Sequence, residues 1–277
     1  MKYDGHTHTE YCPHGSGEPV ELMIEAAIKQ GFTHYSITEH PPLPHAFKQS
    51  MANSTAEIDT TAMAVNDVEH YIKKMKRLQY QYGSDLTIKF GFEIDYLPEQ
   101  TDWVRDFLNE YGPYLSDNLL SVHFLPGTDG WRFIDYSAAD FDAGLVKHYG
   151  SFTEVQNVYL NYLTDSLTWD VGRFKPARIG HISLAQKFQR QYPAEQTCYS
   201  AKQKQQYIQF LNQVASQSYS LDFNTAGLYK ADCGDTYPHK GLAKIALAKG
   251  IPFIYGSDAH SIKDVGRGYA HYSDIYR

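Results

Sequence analysis

Asp4-Gly5-His6-Thr7-His8-Thr9 is the stretch whose reading decides the fold of this 277-residue chain. In an extended backbone alternate side chains share a face, so His6 and His8 project together, one pleat apart. Two imidazoles so placed can each give a ring nitrogen to one divalent cation. Buried, hydrogen-bonded histidines would look the same in sequence. The stretch therefore takes its meaning from what the other strands end in.

Outward from it, strand and helix alternate without a linker or low-complexity break. Tyr3–His8 reads as a strand and Glu18–Gln30 as a helix stopped by Gly31. His34–Thr38 is a strand running into Glu39-His40, and the polar stretch Ala46–Ala62 reads as a long, irregular loop over one end. A helix is expected over Asn66–Tyr82, a strand over Leu86–Tyr96, a helix over Thr101–Tyr111 and a strand over Leu119–Phe124. One or two helices follow within Ala138–Asp170, then a strand over Ala177–Leu184, a helix over Ser200–Ser216 and a strand over Ser220–Asn224. A helix over His239–Lys249 and a strand over Pro252–Gly256 complete the series.

Seven strands alternating with helices imply a parallel sheet. Their carboxyl ends carry His6 and His8, His40, Glu93, His123, His181, and Asp258 with His260, while His14 sits in the first loop. A closed or nearly closed (β/α)7 barrel, TIM-barrel-like and of α/β class, gathers such ends into one site, whereas an open sheet would spread them along an edge. Nine side chains of metal-ligand type in one structural position predict a metal site. They exceed what one ion can use, so two or three ions are expected, with Glu93 placed to bridge a pair. Imidazole with carboxylate suits Zn, Mn or Fe better than Mg or Ca. Several such ions together point to hydrolysis.

Composition narrows the class. The chain is 42% hydrophobic and 21% charged, with a formal net charge of −7, which disfavours a general nucleic-acid binder. Cys12, Cys198 and Cys233 form no disulfide framework, and no stretch has the ~18 apolar residues of a membrane span. The expectation is a cytoplasmic protein, one domain over residues 1–277, with no membrane or nucleic-acid partner.

His-Thr-His-Thr, Ile-Thr-Glu-His, Gly-Phe-Glu-Ile-Asp-Tyr, Ser-Val-His, Ile-Gly-His-Ile and Gly-Ser-Asp-Ala-His occur in this order. Together they resemble the polymerase-and-histidinol-phosphatase (PHP) superfamily, and most closely its histidinol-phosphate phosphatase branch. The resemblance implies a distorted seven-stranded barrel with three divalent transition-metal ions. By motif, His6, His8, Glu93 and Asp258 would hold one ion, Glu93, His123 and His181 a second, and His14, His40 and His260 a third. The implied activity is hydrolysis of L-histidinol phosphate, a small phosphate monoester, to L-histidinol and phosphate in histidine biosynthesis. A hydroxide bridging two ions would attack phosphorus, with Asp258 or a second histidine such as His260 supplying the leaving group's proton.

For the rest of the substrate, Arg178, Lys187, Arg190 and Lys230 flank strands five and six, and one or two of them are expected on the phosphate. Asp95, Tyr96, Asn224 and the loop Ala46–Ala62 are candidates for the imidazole and amine, although Asp95 could equally partner a ligand histidine. The alternatives are a phosphoesterase of the same superfamily acting on nucleotides or nucleic-acid ends, and a non-catalytic metal-binding module.

Overall fold

The computed structural model describes residues 1–276. Strands form at Tyr3–Asp4 (β1), His34–Glu39 (β2), Thr87–Asp95 (β3), Leu119–Ser121 (β4), Phe124–Gly127 (β5) and Gly130–Phe133 (β6). Arg178–Ile179 (β7), Ser220–Asn224 (β8) and Phe253–Gly256 (β9) follow. Seven of them make one parallel sheet in the order β1-β2-β3-β4-β7-β8-β9. The sheet curls until its edges meet. Gly5 N donates to Tyr255 O at 2.8 Å, Asp258 N to His6 O at 2.8 Å and His8 N to Ala259 O at 2.9 Å. The result is a nearly closed barrel of seven parallel strands.

Strand β3 shows how the sequence builds it. Ile88, Phe90, Phe92 and Ile94 alternate with Lys89, Gly91, Glu93 and Asp95, so one face is apolar and the other carries the chemistry. The apolar face packs outward on helices. Phe90 and Phe92 meet Tyr71 of the helix Val68–Gln81, and Phe92 stands edge-on to Phe107 of the helix Thr101–Tyr111, with centroids 5.2 Å apart. Val68, Tyr71, Ile72, Met75 and Leu78 recur at three- and four-residue spacing and are all buried, as an amphipathic helix requires.

The first helix runs Val20–Lys29 and ends where Gly31 takes a φ of +77°, a conformation costly for any side chain with a Cβ. The helix Ala201–Ser216 starts at a capping box in which Ser200 and Gln203 exchange hydrogen bonds. No helix among the described residues is long and apolar enough to cross a membrane.

Five expectations need correction. Of the expected strand Tyr3–His8 only Tyr3–Asp4 pairs as a strand, Thr7 adds a single bridge to Ala259, and His6 and His8 lie beyond the strand end. The expected strand Leu119–Phe124 breaks after Ser121, and Phe124 opens an antiparallel hairpin, β5 to β6, with Phe124 opposite Phe133. Its tight turn needs the positive φ angles found at Asp129 and Gly130. Only Arg178–Ile179 of the expected strand Ala177–Leu184 pairs with neighbours, and the chain then coils into a 3-10 turn at Leu184–Gln186. The stretch Ala46–Ala62 is not irregular, because it holds helices His45–Ser50 and Thr55–Ile58. Phe47, Met51 and Ile58 from it form a second apolar cluster with Phe124, Trp131 and Phe133 of the hairpin. Lastly, a helix at Tyr269–Ile275 follows the final strand and was not anticipated.

Candidate metal centre

Each chemistry-bearing side chain sits at, or just beyond, the carboxyl end of a barrel strand. His6 and His8 follow β1, and His40 follows β2. Glu93 and Asp95 close β3, His123 follows β4, His181 follows β7, and Asp258 and His260 follow β9. His14 reaches in from the loop after β1. All nine expected ligand-type residues come together there, most of them buried.

Glu93 is the hinge of the arrangement. Its Oε2 lies 3.1 Å from His6 Nε2 and 3.5 Å from His8 Nε2, while its Oε1 lies 2.7 Å from His181 Nε2 and 3.5 Å from His123 Nε2. One carboxylate therefore serves two histidine pairs with different oxygens. Ser121 Oγ donates to Oε1 at 2.6 Å and holds that orientation. Gly180 makes the contact possible, because a Cβ there would lie 2.1 Å from Ser121 Oγ. Across the site Asp258 Oδ1 stands 3.4 Å from His8 Nε2, with Asp258 itself in the left-handed region at φ 51°. Asp tolerates that conformation better than most side chains, and such backbones gather at functional sites. His14 Nε2 and His260 Nε2 are 3.0 Å apart at the rim, and His123 Nε2 and His181 Nε2 are 3.1 Å apart.

The residues fit divalent cations. Among the described residues three groups bring their donor atoms together: His6 with His8 and Glu93, Glu93 with His123 and His181, and His8 with Cys12, His40 and His260. His8 is fully buried, yet neither ring nitrogen has a hydrogen-bond partner, which is costly unless something else binds them. The electrostatics demand positive charge at the same points. Burial works to lower His6, but Glu93, Asp222 and Asp258 outweigh it and raise its pKa to about 10. Burial likewise opposes His123, which Asp95 and Glu93 raise to about 9. Glu93 and Asp258 are held well below the usual carboxylate range, since their surrounding histidines overcome the effect of burial. At the rim, burial and the neighbouring His8 keep His40 and His260 well below the ordinary imidazole value, so their nitrogens are free to bind a cation.

Three partners of these side chains were not picked out from the sequence. Asp222 Oδ2 accepts from His6 Nδ1 at 2.8 Å, and Glu39 Oε2 lies 3.5 Å from His8 Nδ1. Asp222 thereby orients the His6 imidazole so that its other nitrogen faces the site, while Glu39 sets a negative charge behind His8. The signals were present: Glu39 immediately precedes His40, and Asp222 shares a strand face with Asn224. Asp95 Oδ1 does the same for His123, accepting from Nδ1 at 2.7 Å. The third is Asp135, in the loop after the hairpin, which pairs with Lys187 at 3.0 Å.

Above the cluster opens a cavity of about 320 Å³, walled by Phe124, Phe133, Tyr136, Leu43 and Thr60 to Ala62, with Lys187, Lys230, Asp135 and Arg267 on its sides. Of the six residues expected on the substrate, Lys187, Lys230 and Asp95 line it. Arg178, Arg190 and Asn224 do not. Arg178 starts β7 rather than ending it, and pairs at the far end of the barrel with Asp117 at 2.9 Å. Arg190 donates to Ala231 O at 3.2 Å, outside the cavity. Asn224 is fully buried and donates to Asp258 Oδ2 at 3.2 Å, so it positions the carboxylate from behind. Tyr96, also weighed from the sequence, is buried against Tyr162 and Trp169.

The PHP domain family matches residues 4–226, which include seven of the nine converging residues. The chain belongs to this family. The PHP-associated family matches residues 242–275, the stretch with β9, Asp258 and His260. Within the PHP family the chain falls in the histidinol-phosphatase branch. It is 37% identical over 271 residues to a histidinol-phosphatase of Bacillus subtilis, covering 97% of each chain. A solved structure of a Listeria monocytogenes protein, provisionally named histidinol phosphatase, superposes with a TM-score of 0.95 at 47% identity, over 98% of this chain and all of that one. The fold also matches a histidinol phosphate phosphatase of Lactococcus lactis, at a TM-score of 0.71 and 17% identity over 99% of this chain and 93% of that one. That structure contains zinc, L-histidinol and phosphate.

Proposed function

We propose that this PHP protein is a metal-dependent phosphomonoesterase that hydrolyses L-histidinol phosphate to L-histidinol and inorganic phosphate in histidine biosynthesis. The observation that carries the hydrolase reading is Glu93, whose two oxygens face separate histidine pairs beneath a cavity edged with lysine and arginine. The histidinol-phosphatase relatives support the choice of substrate.

Three divalent ions, Zn, Mn or Fe, fit the donors present. His6, His8, Glu93 and Asp258 would hold one, Glu93, His123 and His181 a second, and His14, His40 and His260 the third. Bound there, such ions supply a nucleophile at neutral pH and neutralise charge that builds on the phosphoryl oxygens.

The chain's own residues do the remainder. Lys187 and Lys230 present ammonium groups to phosphoryl oxygens that face away from the cluster, with Arg267 beside them. Asp258, facing the cavity, relays a proton from the attacking water to the departing alkoxide, as the bond from phosphorus to the substrate oxygen breaks. His260, beside Asp258, keeps that proton path oriented through Nδ1, which donates to the Asp258 carbonyl at 3.1 Å. Asp135 is fit to meet the substrate's cationic amine or imidazole. Burial would raise its pKa, but Lys187 and His123 outweigh that and hold it near 2, so it stays charged. Phe133 and Tyr136 offer the aromatic wall.

We read the chain as one barrel domain of the cytoplasm, with Cys12, Cys198 and Cys233 outside any disulfide. The test is phosphate release from L-histidinol phosphate by wild type and Glu93→Gln. Loss of metal and turnover together supports the reading. Full metal content with normal turnover in the variant rejects it.

A further inference from the structure

The loop after β1 holds one side chain that the ligand sets above leave out. Cys12 is only 3% exposed, and its Sγ stands 3.4 Å from both ring nitrogens of His14. One donor atom each from Cys12, His8, His40 and His260 lie within 4.8 Å of one another. His8 is fully buried within this group, stacked on His40 and His260 with ring centroids 4.5 and 4.2 Å away, and neither of its ring nitrogens makes a hydrogen bond.

The backbone holds the thiol there. Cys12 N donates to Thr9 O at 3.0 Å and Gly15 N to Cys12 O at 2.9 Å, which closes two consecutive turns. Ser16 N then donates to His260 O at 2.9 Å, tying the loop to the strand end that carries His260. Gly15 fits this junction because it is small: a Cβ would meet Cys12 O, Thr9 O and His260 O at 3.2 to 3.5 Å.

We propose that Cys12 is a thiolate ligand of the cation at the rim of the site, beside His40 and His260. This rests on the metal reading given above and adds a donor to it. On binding, a sulfur–metal bond forms and the thiol proton leaves to solvent. A soft donor suits zinc and disfavours manganese, whereas the two positions that share Glu93 have only nitrogen and oxygen. The rim position is therefore the zinc-selective one.

The full chain, stripped with chelator and reloaded with zinc, tests this by X-ray absorption. Sulfur scatters at roughly 2.3 Å from zinc, against ~2.0–2.1 Å for nitrogen and oxygen. The expected result is a sulfur shell in wild type, Cys198→Ser and Cys233→Ser that is lost in Cys12→Ser. Cobalt loading gives a second reading, a sulfur-to-cobalt charge-transfer band lost in the same variant alone. Zinc bound by nitrogen and oxygen only in wild type overturns the assignment and leaves the metal centre standing. Absence of any bound zinc overturns both. If Cys12→Ser fails to fold, a sulfur shell kept in both Cys198→Ser and Cys233→Ser still assigns the ligand to Cys12, and its loss in either overturns the assignment.

Discussion

Asp222 accepts a hydrogen bond from His6 Nδ1 at 2.8 Å, with both side chains fully buried, and so turns His6 Nε2 toward Glu93. A carboxylate behind a ligand histidine fixes its tautomer and raises its basicity. Asp222→Asn should therefore weaken metal retention about 10–100-fold, the usual cost of losing such a partner. Chelator competition followed by metal analysis measures it. Activity should return with excess metal, and unchanged retention would remove Asp222 from the site.

Lys230 is predicted to set an alkaline limit on substrate binding. Partial desolvation at the cavity wall, with the nearby charge of Lys187, lowers its pKa below the ordinary lysine value. A cation that deprotonates early loses its hold on phosphate early. KM for the phosphate ester should thus rise with pH before an ordinary lysine would titrate, near ~10.4. Lys230→Arg keeps the charge and should move that rise upward. A pH profile of KM that is the same in both proteins contradicts the role.

Asp4 ties the barrel seam, accepting from Ser257 N at 3.0 Å and Gly266 N at 3.3 Å. Burial raises its pKa from 3.8 to about 6, although those hydrogen bonds oppose the rise. Between the two values the folded chain holds a proton that the unfolded chain has lost. Its contribution to stability is therefore full below about pH 4, falls as pH rises through 6 and is flat above that. Wild type should lose about 3 kcal/mol more than Asp4→Asn between those limits. Urea unfolding in chelator at several pH values measures this, and parallel curves would contradict it.

Phe47 anchors the segment that walls the cavity. It is 1% exposed and stands edge-on to Phe124 with centroids 5.0 Å apart. Phe47→Ala should cost about 3–5 kcal/mol, the usual loss for a buried phenylalanine. Because the cluster joins residues 45–58 to the hairpin, KM should rise while metal content stays constant. Thermal unfolding and steady-state kinetics check the two halves.

The barrel and its ligand-type residues were legible because each short apolar run is followed at once by histidine or acid, as in Ser-Val-His at 121–123. Position along a strand was harder to read. Arg178 and His181 lie three residues apart, yet one opens β7 beside Asp117 and the other enters the site. That difference depends on where pairing begins, which residue type does not reveal. Asp222 was missed because an acid inside a strand reads as a solvent-facing residue, while here the strand face is the barrel interior. The hairpin at 124–133 was missed because β4 and β5 read as one apolar run, although Gly127-Thr128-Asp129-Gly130 carries the turn signal.

The most direct measurement is a screen of phosphate monoesters with the stripped chain reloaded separately with Zn, Mn and Fe. Metal-dependent phosphate release with the highest kcat/KM on L-histidinol phosphate is the expected result. A preference for nucleotides would contradict the substrate, and equal turnover by the stripped chain would contradict the metal centre itself.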